Sequence, residues 1–404
     1  MSDSNVVSRV GSLGFASRSV HAGEHAPAPA FSPTTTPIYL SNSFSYDDTE
    51  TLDEAFGNDR DNFVYGRHGN PTVRALEHAI AALEEAEDAV AVGSGMAALH
   101  LAILNEVQAG SRIVASSDLY GSTTTLLNNL FATLGVKTTF ADTTDLDVLR
   151  DVIAEVKPRV VLVETISNPL LRVADLAGIA AIAREHRARL VVDNTFASPY
   201  LVNPLKLGAH TVVHSTTKYL AGHGDVTGGA IASDELRIGE IRELTKLSGS
   251  IQGPIEAWLI LRGIKTLPLR MREQCRNACE IATWLSKHPR VERVHFPGFV
   301  DLGPAERQFN HDGRGGMVSF DIRDAGRAEV FVFLESLQLI RSAATLGDVY
   351  TLALYPAISS HRSLAPEQRA AAGIGDGLIR LSAGIEDVKD VIADLDQALA
   401  AIPA

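Results

Sequence analysis

Residues 189–218 read RLVVDNTFASPYLVNPLKLGAHTVVHSTTK, with the apolar runs Arg189-Leu-Val-Val-Asp193 and Thr211-Val-Val-His214 flanking a connection that contains Pro and Gly. Each run is short, rich in β-branched residues and apolar at consecutive positions, the pattern of a strand covered on both faces. Each also ends in residues that can carry chemistry. Asp193 closes the first, and the hydroxyl-rich Ser215-Thr-Thr-Lys218 follows the second. Buried strands alternating with amphipathic helices predict an α/β fold, a mostly parallel sheet with helices on both faces, in which ligands gather at the carboxyl ends of the strands.

The alternation extends in both directions. Upstream, Ala89-Val-Ala-Val, Arg112-Ile-Val-Ala and Arg159-Val-Val-Leu-Val-Glu164 read as strands. A helix after Gly95 is expected to bury Leu99, Ala102, Ile103 and Val107, and another to bury Leu176, Ile179, Ala180 and Ala183. Downstream, a long helical stretch over 258–284 carries Arg262, Arg270 and Arg272, and strands are expected at Met317–Ile322, 339–343 and Leu378–Ser382. At 404 residues the chain exceeds what one hydrophobic core usually organises. The predicted division is an extended arm over 1–64, a main domain over 65–262 and a smaller α/β domain over 263–404. The arm is rich in Ser, Thr and Pro over 26–37, and Ile38, Tyr39, Phe44, Tyr46 and Phe56 give it apolar anchors for docking on another surface.

Composition limits the function classes. Hydrophobic residues make up 45% of the chain and aromatics 6%, as expected of a soluble enzyme. Lys+Arg 36 against Asp+Glu 49 gives a formal charge of −13, which opposes a general role at nucleic-acid backbones or anionic membranes. With neither a long apolar run nor a basic-then-apolar leader, a cytoplasmic enzyme is expected. Cys275 and Cys279 lie four apart on a predicted helix without the further ligands a structural metal wants, so reduced cysteines and no metal are expected.

Three elements converge at strand ends. Gly93-Ser-Gly95-Met96 opens a helix directly after a strand, where amides and the helix dipole favour a phosphate; the same turn also serves as a plain tight connection. Asp193 can cap a helix or pair with a protonated ring nitrogen. Lys218 beside Ser215 and Thr217 can be a solvated lysine or a Schiff-base amine next to phosphate-binding hydroxyls. Together they supply a phosphate cradle, an acid for a pyridine nitrogen and an amine for an aldehyde, the requirements of pyridoxal 5′-phosphate (PLP).

With Tyr65-Gly-Arg67-x-x-Asn-Pro-Thr, Gly93-Ser-Gly-Met, Asp118-Leu-Tyr120-Gly, Glu164-x-x-x-Asn168-Pro, Val192-Asp193-Asn, Ser215-Thr-Thr-Lys218-Tyr and Arg380-Leu-Ser in order, the chain resembles the Cys/Met metabolism family of PLP enzymes over nearly its whole length. These are the cystathionine γ-synthases and γ-lyases, methionine γ-lyases and O-acetylhomoserine sulfhydrylases. The resemblance implies the type I PLP-dependent transferase fold, with Lys218 as the Schiff-base residue, Asp193 on the pyridine nitrogen and Tyr120 stacked on the ring. It also implies Gly95, Met96, Ser215 and Thr217 around the phosphate, joined by Tyr65 and Arg67 from a neighbouring subunit of a homotetramer built as a dimer of dimers. Asn168 would lie near the phenolic oxygen, and Arg380, with Thr345 and Tyr350 nearby, would take the substrate carboxylate.

The implied activity, within transsulfuration and methionine metabolism, is γ-replacement or γ-elimination on O-acylhomoserine, methionine or cystathionine. The alternatives are a cystathionine or cysteine β-lyase and a PLP-binding protein without turnover. Two departures bear on substrate. Where many family members read Ser-Leu-Gly-x-x-Glu-Ser, this chain has Thr345-Leu-Gly-Asp-Val-Tyr350-Thr351, so the acidic position is Tyr350. The cysteine typical of methionine γ-lyases after Tyr-Gly is Ser122. Gly66 and Gly224 are expected near the cofactor rim, and His223 and His361 are expected to be structural.

Overall fold

The structure, a computed structural model, describes residues 32–57, 62–360, 362, 366–371 and 373–403. Met1–Pro37 and Ile38–Ala404 are separate units, and the architecture that follows belongs to the second.

Its larger sheet has seven strands in the order β1-β7-β6-β5-β4-β2-β3. They are β1 (Asp88–Val92), β2 (Arg112–Ser116), β3 (Lys137–Ala141), β4 (Val160–Glu164), β5 (Arg189–Asp193), β6 (Thr211–His214) and β7 (Gly229–Ser233). The β3-β2-β4-β5-β6 run is parallel, while β7 pairs antiparallel with both β6 and β1. β4 and β6 are buried at every position, with the polar Glu164, Thr211 and His214 at their ends buried along with the apolar residues. The second sheet has five strands in the order β10-β11-β12-β9-β8. They are β8 (Val291–His295), β9 (Met317–Ile322), β10 (Arg341–Ser342), β11 (Leu352–Leu354) and β12 (Leu378–Ser382). All its pairings are antiparallel except β10 with β11. We propose the domain division at 262/263. The helix Leu267–Leu285 serves both sides, placing Leu267, Met271 and Cys275 in the core of the larger sheet and Ala278, Ile281, Ala282 and Leu285 in that of the smaller.

Several local expectations are corrected. The arm predicted over 1–64 lies outside the described residues at 1–31 and 58–61, and within it Thr49–Phe56 is a helix, started by the Asp48 carboxylate accepting the Thr51 amide at 2.7 Å. The helix after Gly95 ends at Leu104, so Val107 is half-buried in the following turn. The stretch 258–284 is two helices, Pro254–Ile264 and Leu267–Leu285, because Pro268 near the start of the second cannot donate to the first. The strand expected at 339–343 is only the pair Arg341–Ser342. The sequence reading passed over β3, β7, β8 and β11. β7 is written in small residues because it passes close to the Ser94 backbone, where even a Cβ at Gly229 would collide.

Candidate active site

At the carboxyl ends of β4, β5 and β6 opens a cavity of about 760 Å³. Among its lining residues are Gly95, Met96, Tyr120, Asn168, Asp193, Ser215, Thr217, Lys218, Thr345 and Arg380. Thus ten positions separated by up to 285 residues in sequence are brought to one surface, by strand ends on one sheet and by the 345 loop and β12 on the other.

Two acids stand side by side on one wall. Glu164 and Asp193 end adjacent parallel strands in direct register. Thr195 donates its hydroxyl and amide to Asp193 Oδ1 at 2.5 and 3.0 Å, and its hydroxyl accepts the Ser215 amide at 2.9 Å, tying the acid to the Ser215–Lys218 loop. Burial pushes the Asp193 carboxyl above the ordinary carboxylate range, opposed by Thr195 and by the nearby His214. Glu164 is pushed up well above its ordinary value by burial and then by the Asp193 charge. Glu164 Oε1 accepts the Tyr120 amide at 2.6 Å, while its buried Oε2 has no partner. Paired acids with an orphaned oxygen in a water-poor wall favour a cationic or proton-bearing neighbour.

Another wall is a helix amino terminus. Ser94 caps the helix Gly95–Leu104, its hydroxyl taking the Ala97 amide at 3.1 Å and its carbonyl taking Ala98 at 3.0 Å. Gly95 and Met96 therefore present the first two helical amides, which have no acceptor within the helix. Gly95 has to be glycine here, because a Cβ would lie 2.7 Å from Ser215 Cβ. Thr217 holds the loop by accepting the Gly228 amide at 3.0 Å.

Lys218 donates to the Thr345 hydroxyl at 2.9 Å. Burial, helped by the Arg380 cation and opposed by Asp348, lowers the amine to about 8. Arg380 is 4% exposed and donates to Asn168 Oδ1 at 2.8 Å and to the Thr345 carbonyl at 3.2 Å. Burial lowers it to about 10, and its Nε has no partner. A buried guanidinium bonded only to neutral oxygens, one nitrogen to spare, suits an incoming carboxylate. The amide-rich helix end, the acid pair and the low-pKa amine fit the phosphate, pyridine nitrogen and aldehyde of PLP.

Three expected site residues lie outside this lining. Tyr65 is 44% exposed, and the Arg67 guanidinium sits over its ring while donating to the Lys246 carbonyl at 2.8 Å. Tyr350 is 45% exposed with the Arg341 guanidinium over its ring, because Asp348 and Thr351 occupy the buried positions on either side of it. Gly224 serves Asp348 rather than the rim, adopting φ +68° where a Cβ would stand 2.9 Å from the Asp348 carboxylate. His223 bonds to the Ala221 carbonyl at 2.7 Å, and His361 lies outside the described residues. Sequence reasoning missed Thr195, Glu164 and Asp348 as contributors. The first two were within reach, Thr195 following Val192-Asp193-Asn and Glu164 opening the Asn168 motif.

The family model described as Cys/Met metabolism PLP-dependent enzyme matches residues 16–400. L-methionine gamma-lyase of Fusobacterium nucleatum subsp. polymorphum is 40% identical, the alignment covering 96% of this chain and 98% of that one. The crystal structure of cystathionine gamma synthase from Xanthomonas oryzae pv. oryzae in complex with aminoacrylate and cysteine superposes with TM-score 0.85 at 40% identity, over 93% of this chain and 95% of that one. A Campylobacter jejuni subsp. jejuni protein whose crystal structure holds an N′-pyridoxyl-lysine-5′-monophosphate superposes with TM-score 0.86 at 29% identity, over 91% and 95%.

Proposed function

This chain belongs to the Cys/Met metabolism family of PLP-dependent enzymes, and from that premise we propose how its own residues perform γ-elimination or γ-replacement on a sulfur-containing or O-acylated amino acid. When bound, PLP supplies the electron sink that acidifies the substrate's Cα and Cβ protons. Lys218 would hold its aldehyde, and Asp193 would pair with its ring nitrogen. The Gly95 and Met96 amides with Ser215 and Thr217 would hold its phosphate, Tyr120 would cover its ring, and Asn168 would serve its phenolic oxygen.

Arg380 would take the substrate carboxylate and orient the substrate toward the Lys218 amine, which would move protons at Cα and then Cβ. Tyr120 is placed to take a proton from the incoming amine or to help the γ-group depart. The single observation that carries this reading is the Lys218 amine, lowered to about 8 in the same cavity as the uncompensated Arg380 guanidinium. With a value of about 8, a substantial fraction of the amine is neutral near pH 8 and can serve both as nucleophile and as base.

We also propose a homotetramer in which Tyr65 and Arg67 complete the neighbouring site. Their position outside their own cavity supports this, as do the exposed Ile38, Tyr39 and Leu40. The free thiols Cys275 and Cys279, the second exposed, support a cytoplasmic setting.

The test is a product assay of PLP-loaded protein offered O-acetylhomoserine, O-succinylhomoserine, methionine and cystathionine, with and without a thiol. Thiol-dependent product from an O-acylhomoserine identifies replacement, and α-ketobutyrate from methionine or cystathionine alone identifies elimination. Neither product from any of the four would overturn the reading.

A further inference from the structure

Arg270 and Gln274 lie one turn apart on the helix Leu267–Leu285, and they are 3% and 0% exposed. Neither lines the cavity. The Arg270 guanidinium donates to the carbonyls of Tyr219 at 2.8 Å and Leu220 at 3.4 Å, the two residues that follow Lys218. Gln274 Nε2 donates to the carbonyls of Asp348 at 2.8 Å and Gly347 at 3.4 Å, in the loop that carries Thr345. Residues four apart share a helix face. One face therefore holds the backbone on both sides of the hydrogen bond from Lys218 to Thr345.

The two held segments also touch each other. A Cβ at Gly347 would lie 2.6 Å from the Tyr219 amide nitrogen and 3.0 Å from the Lys218 carbonyl carbon. The Val349 amide donates to the Gly222 carbonyl at 3.0 Å, and the Gly347 amide to the Ser382 hydroxyl at 2.9 Å. Thr345, two residues before Gly347, then meets Lys218 with its hydroxyl and Arg380 with its carbonyl. Packing alone does not ask for a glutamine at 274. An apolar side chain would fill the buried space without the desolvation cost, and Gln274 Oε1 has no partner among the described residues.

We propose that Gln274 is a positioning residue, which fixes the 345–348 loop so that Thr345 meets the Lys218 amine and thereby sets how fast that amine reacts. Arg270 holds the other side of the same contact. Gln274 acts through Thr345 and touches neither cofactor nor substrate. The inference rests on the role given to Lys218 above.

The experiment is a double-mutant cycle of wild type, Gln274→Met, Thr345→Val and the two combined. The readouts are the rate at which cofactor-free protein takes up PLP, followed by absorbance, and kcat on whichever of the four substrates above gives product. Met has a similar length and removes the amide. Gln274→Met is expected to lower both rates about 2- to 10-fold, the worth of one hydrogen bond. In the Thr345→Val background the same substitution should cost less than about 2-fold, because the contact it serves is already gone.

Wild-type rates in Gln274→Met would overturn the proposal. So would equal losses in the two backgrounds, which would mark an effect on the fold that does not pass through Thr345. PLP uptake decides wherever the two readouts differ. Should Gln274→Met fail to fold, Gln274→Asn, which draws the amide back by one methylene, takes its place in the cycle with the same expected outcomes. The two ideas fail separately. If wild type gives no product from any of the four substrates the functional reading fails while uptake still decides the role of Gln274, whereas normal product with equal losses removes only that role.

Discussion

The Lys218 amine donates a 2.9 Å hydrogen bond to the hydroxyl of Thr345, a residue 127 positions later that sits between β10 and β11 of the second sheet. The same Thr345 offers its carbonyl to Arg380. One residue thus touches both the amine proposed to move protons and the guanidinium proposed to take the substrate carboxylate. Thr345→Val, which keeps the shape and removes the hydroxyl, should lower kcat roughly 2- to 10-fold, the worth of one hydrogen bond. KM should barely move, and steady-state kinetics would settle it; an unchanged kcat would mean the contact is incidental.

Lys218 has an ordinary value of 10.5 and is lowered to about 8. A depressed amine value means that folding favours the neutral form, so the penalty for burying this group is present at low pH and disappears as pH rises through the interval from about 8 to 10.5. The rate at which cofactor-free protein takes up PLP should therefore climb with a midpoint near 8 rather than near 10.5. Stopped-flow absorbance would measure it. Lys218→Ala should abolish the borohydride-reducible link and cost about 10²- to 10⁴-fold in kcat through loss of the base alone; trapping at another lysine would refute the assignment.

Arg380→Ala leaves Asn168 Oδ1 and the Thr345 carbonyl without their charged donor. It should cut kcat/KM by roughly 10- to 150-fold, the equivalent of a charged hydrogen bond of about 1.5–3 kcal/mol. The loss should appear largely in KM. Arg380→Lys should recover little, since a point charge cannot reproduce the fork.

Gly95→Ala places a methyl 2.7 Å from Ser215 Cβ and 2.9 Å from its Cα. The helix start and the Ser215 loop must then move apart, at a cost of about 1–3 kcal/mol. PLP affinity should fall while the far-UV spectrum is preserved, and calorimetric titration with PLP would show it.

Tyr350→Glu tests the position at which the resemblance implies an acid. Since Tyr350 projects outward beneath Arg341, the ratio of activities on cystathionine and methionine should stay unchanged. A marked gain on cystathionine would mean the tyrosine reaches a site after all.

Much of this was legible in residue order. The consecutive apolar residues Val160–Val163 and Val212–Val213 announce strands buried on both faces, because a strand with one solvated face alternates apolar with polar residues. Asp193 and Lys218 each close or follow such a run, so a shared location at strand ends could be inferred without coordinates. β3 was harder to read, since Lys137-Thr-Thr-Phe-Ala lies at a sheet edge and is only partly covered. β7 was harder still. Its Gly-Ala-Ile-Ala-Ser composition answers to the nearby Ser94 backbone, and no local propensity reports a neighbour some 135 residues away.

The sequence by itself determined the class of cofactor chemistry, because a strand-end acid, a Gly-opened helix and a hydroxyl-flanked lysine are local patterns tied to chain direction. Only the tertiary structure decided which residues tune that chemistry. Glu164 beside Asp193, Thr345 on Lys218 and Tyr350 turned away from the cavity depend on strand register and on how the second sheet meets the first. Electrostatic coupling acts through distances of a few ångströms, and such distances between remote positions exist only once the core has closed.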